Sequence, residues 1–103
     1  MRLFGRKQKA PVRISLNVRA VLDGHMVRVS LDAQASEGDT LKDLLKRLRG
    51  EGTVDASVVR GILKRGAGVT LLRNGQRLAM PKAASTRLSD GDSLSILTPV
   101  AGG

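Results

Sequence analysis

The sequence contains no cysteine, tryptophan or tyrosine, and Phe4 is its only aromatic residue. Without cysteine the chain can form neither a disulfide nor a thiolate metal site, and it has no thiol nucleophile. Unpaired bases stack on aromatic side chains, so the scarcity of aromatics argues against a nucleic-acid-binding protein. The single histidine, His25, follows an Asp-Gly turn sequence. We interpret it as a solvated turn residue rather than as a catalyst or metal ligand.

Long apolar runs are missing as well. No run approaches the roughly 20 residues that a helix needs to cross a bilayer. No apolar stretch of signal-peptide length follows the N-terminus. We therefore expect a cytoplasmic protein that does not enter a membrane, with a length that suits one domain.

Positive charge is what the sequence has in excess. Its 18 Lys and Arg residues and 9 Asp and Glu residues give a net charge of +9. Residues 1–10 contain several of the cations and no acid, and we interpret them as a flexible basic leader before a domain of residues 11–98. Such charge favours an acidic protein, nucleic acid or an anionic membrane surface as partner. A solvated surface that aids solubility is the plainer explanation.

The first half of the domain predicts a hairpin followed by a helix. Apolar and polar residues alternate over residues 12–20 and 27–31, as in half-buried strands, and Asp23-Gly24 between them is a turn sequence. The period then changes to that of a helix, whose apolar face holds Leu41, Leu44, Leu45 and Leu48. Thr40 and Asp43 resemble a capping box at its start.

A shorter second helix is predicted over residues 56–64, and more strands follow it. Asn74-Gly75 is the strongest hairpin signal, because both positions of a type I′ turn need a positive φ. Residues 76–78 return as the partner strand, 80–86 are predicted to be a loop, and Leu94 and Ile96 mark the last strand. Asp90 and Asp92 lack the spacing of a calcium loop, so we interpret them as hydrogen-bond acceptors in a turn.

Together these elements predict an α+β fold. A mixed sheet of four to five strands packs on one main helix, with a short second helix, because an apolar helix face needs a sheet face to cover it. If the main helix is the crossover, the first and last strands pair in parallel in the middle of the sheet.

Three motifs follow one another in the second half. They are a strand that ends in Asn74-Gly75, a turn and strand over residues 88–96, and a Pro-Val-Ala-Gly-Gly ending that closes at Gly103. In this order they resemble the MoaD/ThiS family of ubiquitin-like sulfur carrier proteins, and the resemblance extends over residues 12–103. The ending looks most like the molybdopterin synthase small-subunit branch. The resemblance implies a β-grasp, or ubiquitin-like, fold.

The resemblance also implies a function. An adenylating enzyme of the ubiquitin-activating type uses ATP to join AMP to the Gly103 carboxylate, and a persulfide sulfur then converts it to a thiocarboxylate. The sulfur passes to an acceptor enzyme such as the large subunit of molybdopterin synthase, or otherwise towards thiamine, a sulfur amino acid or a tRNA base. We thus expect a carrier that is not an enzyme, binds no cofactor or metal, and is a monomer when alone.

The expected exposed tail, residues 99–103, suits this chemistry. Gly102 and Gly103 lack side chains, so the backbone can enter a narrow channel in an activating enzyme. Pro99 stiffens the exit from the last strand and cannot extend its ladder. Val100, beside Ala101, offers an apolar contact to a partner. Glycines at a chain end often have no function, and it is the preceding motifs that favour the carrier.

A partner-docking face is predicted on the open side of the sheet. Three leucines break the inward alternation and can form an apolar patch: Leu72, Leu78 and Leu97. Three arginines can contact an acidic groove on the activating enzyme: Arg73, Arg77 and Arg87. Core packing of the leucines and ordinary surface charge of the arginines are the alternatives, although an exposed apolar patch often marks an interface.

Two other functions stay open at this point. A ubiquitin-like modifier would use the same tail for conjugation to lysine. A β-grasp binding module without tail chemistry would instead bind nucleic acid or an acidic protein through its basic surface, and its affinity would fall steeply with salt.

Overall fold

The protein folds into one five-stranded sheet with two helices on one face. Its structure is a computed structural model, which describes residues 11–22, 24–64, 68–79 and 82–98. The predicted leader, 1–10, and tail, 99–103, lie outside these residues. In chain order the elements are β1 (Pro11–Leu22), β2 (His25–Ser36), α1 (Leu41–Gly50), α2 (Ala56–Leu63), β3 (Thr70–Arg73), β4 (Gln76–Ala79), a 3₁₀ helix (Lys82–Ser85) and β5 (Asp92–Leu97).

β1 and β2 form a long antiparallel hairpin, because both alternate apolar and polar residues without a break. Their register runs from Pro11 opposite Ser36 to Leu22 opposite His25, so residues 23 and 24 alone connect them. Gly24 has a φ of 80°, which glycine adopts without a side-chain clash. The predicted hairpin is confirmed.

α1 begins at the predicted capping box. Thr40 Oγ1 accepts a hydrogen bond from the Asp43 backbone N–H, and Asp43 Oδ2 accepts one from the Thr40 N–H. The hydrogen bond from the Thr40 backbone, followed by the one from its hydroxyl, lowers the pKa of the Asp43 carboxyl below its ordinary value. All the leucines of the predicted apolar face are buried. α1 therefore packs across the sheet as the predicted crossover.

The strand order is β2-β1-β5-β3-β4, with β5 parallel to β1 and antiparallel to β3. Asn74, with a φ of 51°, and Gly75, with a φ of 85°, form the turn between β3 and β4, as a type I′ turn requires. Both the central parallel pair and the Asn-Gly hairpin were predicted and are confirmed. This arrangement of sheet and helix is the β-grasp, ubiquitin-like fold of the α+β class.

The core lies between the helices and the inner face of the sheet, which is the face formed by the even-numbered residues of β1 and β5. α2 contributes Val59 and Ile62, both buried. A Cβ added at Gly61 would lie 3.2 Å from the Leu22 Cβ, so the absence of a side chain there lets α2 pack closely on the end of β1.

Residues 80–86 differ from the sequence prediction. A loop was expected, but Lys82–Ser85 form a 3₁₀ helix that packs against α1 and β4. Ala83 and Ala84 are buried by it. One turn of four residues is too short to show a helical period, and its two small apolar residues carry little hydrophobic signal.

Candidate functional site

β5 is held on both sides as it approaches the predicted tail. Its last residue, Leu97, lies opposite Arg19 of β1 and Thr70 of β3. The Thr98 N–H then donates to the Arg19 carbonyl at 3.2 Å, and the Thr98 hydroxyl accepts from the Val21 N–H at 2.9 Å. The predicted tail residues and the sulfur-carrying position, Pro99, Val100, Ala101, Gly102 and Gly103, lie outside the described residues.

The position of Thr98 limits how far residues 99–103 can reach. Fully extended residues span at most about 3.3–3.6 Å each. These five residues therefore reach at most roughly 20 Å from Thr98. The end of the sheet at which β5 finishes is thus the part of the domain to examine for a surface that could act together with them.

That end of the sheet carries an apolar depression on its outer face, which is the face turned away from the helices. Val21, Met26, Leu72 and Leu97 line a space of about 350 Å³ there, and we call these four residues the outer groove. Val21 and Met26 are directly opposite each other in the β1–β2 pair. They are 45% and 62% exposed, which is unusual for large apolar side chains in this protein. A contiguous exposed apolar patch is the kind of surface feature that often marks an interaction site.

Three arginines surround the outer groove: Arg19, Arg28 and Arg77. Arg19 and Arg28 lie directly opposite each other across β1 and β2, although like charges in such a pair destabilise a sheet. No acidic residue lines the groove among the described residues, and none of the three arginines forms an ion pair with another described residue. The surface therefore fits an apolar partner surface with carboxylates at its rim.

The structure brings three of the six predicted docking residues to this groove. Leu72 and Leu97 are half-buried in it, and Arg77 lies opposite Leu72 in the β3–β4 pair. It also adds Val21, Met26, Arg19 and Arg28, which the sequence reasoning missed. The available signal was the strand alternation itself, which places both Val21 and Met26 on the outer face next to the Asp-Gly turn.

The other three predicted docking residues lie elsewhere. Leu78 is opposite Leu71 and packs against the core, because the register of the Asn-Gly hairpin turns both side chains inward. Arg73 also lies on the inner side and forms an ion pair with Asp92 at 2.9 Å. The backbone of Arg87 forms an isolated antiparallel β-bridge with that of Thr40, beside the start of α1. Contact of any of the six with a partner stays a prediction.

Asp92 is the centre of a polar cluster at the opposite end of β5. Its side chain is buried, and its carboxylate accepts hydrogen bonds from Arg73 Nε at 3.0 Å, Asn74 Nδ2 at 2.9 Å and the Ser89 N–H at 2.8 Å. Burial alone would raise the pKa of Asp92. The hydrogen bonds from Ser89, Asn74 and Arg73 outweigh it and lower that pKa. The Asn-Gly and Gly-Asp motifs are thus explained by the fold.

Asp90 has a backbone partner too, but this partner lies in β1 and not in the local turn that the sequence predicted. Its Oδ1 accepts from the Arg13 N–H at 2.8 Å. Among the described residues, no group of three or more acidic or histidine side chains could hold a metal ion. In the same residues no helix has the length and apolar character needed to cross a membrane.

Comparison with known proteins agrees with this architecture. No curated protein matches the sequence significantly. The HVO 2177 protein of Haloferax volcanii has a similar solution structure, with a TM-score of 0.61 and 24% identity over 97% of this chain and 94% of that one. Small archaeal modifier protein 1 of Methanosarcina acetivorans has a TM-score of 0.53 and 19% identity over 91% of this chain and 99% of its own. At these identities the two structures support the fold alone.

The family comparison covers most of the sequence. The profile of the ThiS family matches residues 24–103, which include β2, both helices, the polar cluster around Asp92 and the Gly102-Gly103 pair. The resemblance inferred from the order of the motifs is therefore confirmed. The chain belongs to the ThiS family.

Proposed function

We propose that this protein is a sulfur carrier whose working atom is the carboxyl carbon of Gly103. The observation that carries the proposal is the ThiS family match, which runs through the Gly102-Gly103 pair to Gly103 itself. The anchoring of the chain at Thr98 supports it, because the five residues that follow start from a fixed edge of the domain. The proposal extends the family assignment from a ubiquitin-like carrier or modifier to one particular chemistry.

The proposed chemistry needs a partner enzyme because a carboxylate is a poor electrophile. A Gly103 carboxylate oxygen attacks the α-phosphorus of ATP in an activating enzyme, and pyrophosphate leaves. A persulfide sulfur then attacks the acyl carbon and displaces AMP, and cleavage of the S–S bond by a second thiol leaves the thiocarboxylate. The carrier contributes a backbone slim enough to enter the active site. Since adenylation consumes ATP, we propose the cytoplasm as its place of work.

We assign the docking of the activating and acceptor enzymes to the outer groove. It lies at the same end of the sheet as Thr98, where the tail begins. Its arginines match an acidic rim, and its apolar residues supply the buried contact area. For the acceptor we propose the large subunit of molybdopterin synthase, on the resemblance of the Pro-Val-Ala-Gly-Gly ending; enzymes of thiamine, sulfur amino acid or tRNA thiolation are the other acceptors to test.

Intact-mass spectrometry tests the carrier chemistry. The protein is incubated with ATP, an adenylating enzyme of this class and a sulfur donor. The expected result is a mass gain equal to the difference between one sulfur and one oxygen atom, localised by fragmentation to Gly103. A variant that lacks Gly102 and Gly103 should show no gain while keeping the same thermal unfolding. Gly50→Ala, at the end of α1, serves as a sequence control that still reacts, because a Cβ there would have no atom within 4 Å. Sulfur transfer by the truncated variant would overturn the proposal.

A ubiquitin-like modifier is the second candidate. A similar fold occurs in a protein named as a small archaeal modifier, and the activated Gly103 acyl group is also open to attack by a deprotonated lysine amine. The same incubation then yields an isopeptide-linked product of higher mass instead of the thiocarboxylate. Formation of the conjugate without any thiocarboxylate would select the modifier over the carrier.

A further inference from the structure

The two edges of the sheet are built very differently. β4 forms one edge and has only four residues, whereas β2 forms the other with twelve. β2 pairs with β1 through an uninterrupted register, so it has no bulge, and it contains neither proline nor lysine. Short length, bulges, proline and charged side chains, above all lysine, protect an exposed strand edge from pairing. β2 has only the charges of Arg28 and Asp32, which are opposite in sign.

The hydrogen bonds of the described residues show which β2 groups face the open side. The Gln34 carbonyl accepts from Arg47 Nη1 at 3.1 Å, and the Ser36 N–H and C=O bond Asp39. These groups point away from β1. In an antiparallel ladder the direction alternates from residue to residue. The N–H and C=O groups of Arg28, Ser30 and Asp32 therefore also point outward, and no described residue lies along that part of the edge.

We propose that two copies of the protein pair through these edges, antiparallel about Ser30, to form one ten-stranded sheet. Ser30 then faces Ser30 of the second copy, and Arg28 faces Asp32 of the second copy on both sides of the axis. Each facing pair can exchange two backbone hydrogen bonds, as the outward groups require. This adds a weak dimer to the monomeric carrier that the family resemblance implies.

Charge selects this register. Arg28 has the like charge of Arg19 on its β1 side, and neither Arg28 nor Asp32 has an ion-pair partner among the described residues. In the proposed dimer each Arg28 gains a carboxylate directly opposite it, and each Asp32 gains a guanidinium. Opposite charges in facing positions stabilise a strand pair. The edge itself is neutral, so the positive charge of the whole chain opposes pairing only through a screened, long-range repulsion.

The inner side of the edge is complementary as well. Val27, Val29 and Leu31 are only half-buried on the core side of β2. In the proposed register Val29 faces Leu31 of the second copy, and Val27 faces Ala33. Ala33 and Ala35 are small, and a space of about 560 Å³ lies beside them between β2 and α1. In this register the second copy's Val27 lies beside this space, and Val29 and Leu31 of the two copies cover each other's apolar surface.

Sedimentation equilibrium of the full chain, from micromolar to millimolar concentration, tests the dimer. The expected result is a reversible monomer–dimer equilibrium. Arg28→Asp and Asp32→Arg, each alone, should weaken it about tenfold, since each replaces both facing ion pairs by repulsion. The double swap should restore it, because the opposite charges face each other again. Ser30→Pro should abolish dimerisation by removing an outward N–H that β1 does not use, while Ser30→Thr should not.

Amide hydrogen exchange supplies a second readout that does not depend on the variants folding well. The N–H groups of Arg28, Ser30 and Asp32 should exchange more slowly as protein concentration rises, while those of β4 should not. A chain that stays monomeric at millimolar concentration, or a double swap that fails to restore pairing, would overturn the proposal. So would a dimer that appears only after residues 1–10 are deleted, because the leader would then be the natural occupant of the edge.

Discussion

Asn74 connects the turn between β3 and β4 to the start of β5, because its side chain forms hydrogen bonds with Asp92 and Ser93. Its Nδ2 donates to Asp92 Oδ1 at 2.9 Å, and its own Oδ1 accepts from the Ser93 N–H at 2.8 Å. The residue does this from a left-handed conformation, with a φ of 51°, which asparagine tolerates better than most residues. Asn74 therefore adopts the backbone conformation that the turn requires, and its side chain also links the end of β3 to the start of β5, the strand that leads to residues 99–103.

Substitution at Asn74 separates its two roles. Asn74→Gly keeps the conformation but loses both side-chain bonds, and we expect the free energy of unfolding to fall by about 1–2 kcal/mol. Asn74→Ala should lower the free energy of unfolding by roughly 1 kcal/mol more, because a positive φ is strained for alanine. Urea denaturation of both variants measures this order. Equal stability of Asn74→Gly and the original protein would show that the side-chain bonds contribute nothing.

Asp92 makes the stability of the protein depend on pH. Its pKa in the folded state lies below the ordinary value of 3.8, so the folded protein holds the charged form more strongly than the unfolded chain does. The stabilisation is therefore complete above that ordinary value and is lost as the pH falls through the lower folded value. Asp92→Asn should lower the free energy of unfolding by about 2 kcal/mol at neutral pH, because an amide cannot accept from all three donors.

The pH profile distinguishes this effect from a general loss of packing. The difference in the free energy of unfolding between the original protein and Asp92→Asn should stay constant above the ordinary carboxyl pKa of 3.8 and shrink as the pH falls below it, through the lowered pKa of the folded state. Asp90→Asn is the matched control, since Asp90 is exposed and accepts a single backbone bond. Its effect should be small at every pH. A difference for Asp92→Asn that does not change with pH would contradict the charge-based explanation.

The fold was predictable wherever local chemistry and global packing agree. The two hairpins, the capping box at Thr40 and the buried leucines of α1 all follow from turn residues and periodicity, and all are confirmed. The 3₁₀ helix at Lys82–Ser85 was missed because one turn has no period to detect. Such short elements are decided by the space left between larger ones.

The candidate site was harder to predict because it depends on register. Leu72 and Leu78 look alike in the sequence, but pairing across Asn74-Gly75 turns one outward and the other into the core. Arg73 looks like surface charge until its partner Asp92, from a distant segment, is placed beside it. Val21 and Met26 could not be assigned to the groove from the sequence, because only the pairing of β5 with β1 and β3 brings Leu72 and Leu97 beside them.

The capping box at α1 gives a prediction for the crossover. Thr40→Ala removes the oxygen that accepts from the Asp43 N–H and should lower the free energy of unfolding by about 1 kcal/mol. Thr40→Ser keeps that oxygen, so it should lower the free energy of unfolding by only a few tenths of a kcal/mol, on the order of 0.3 kcal/mol. An NMR titration should also show the pKa of Asp43 rising towards its ordinary value in Thr40→Ala, since the hydroxyl no longer donates to the carboxylate. Identical behaviour of the two variants would rule out the cap.

Charge reversal at the outer groove tests docking separately from folding. Arg77 is exposed and lies opposite Leu72, so Arg77→Glu should leave thermal unfolding unchanged. It should nevertheless lower kcat/KM for adenylation by the activating enzyme about tenfold at low salt, because it places a carboxylate against the acidic rim proposed for the partner. The loss should shrink as ionic strength rises, since salt screens exposed charges.

Arg60→Glu is the control that makes this result specific to the groove. Arg60 is exposed on α2, on the other side of the sheet, and the substitution changes the net charge by the same amount. If general attraction between a basic carrier and an acidic enzyme governed the reaction, both variants would lose activity equally. A loss confined to Arg77→Glu, together with a raised KM for Met26→Ala, would locate the contact at the outer groove, because Met26 is an apolar side chain too exposed to matter for folding.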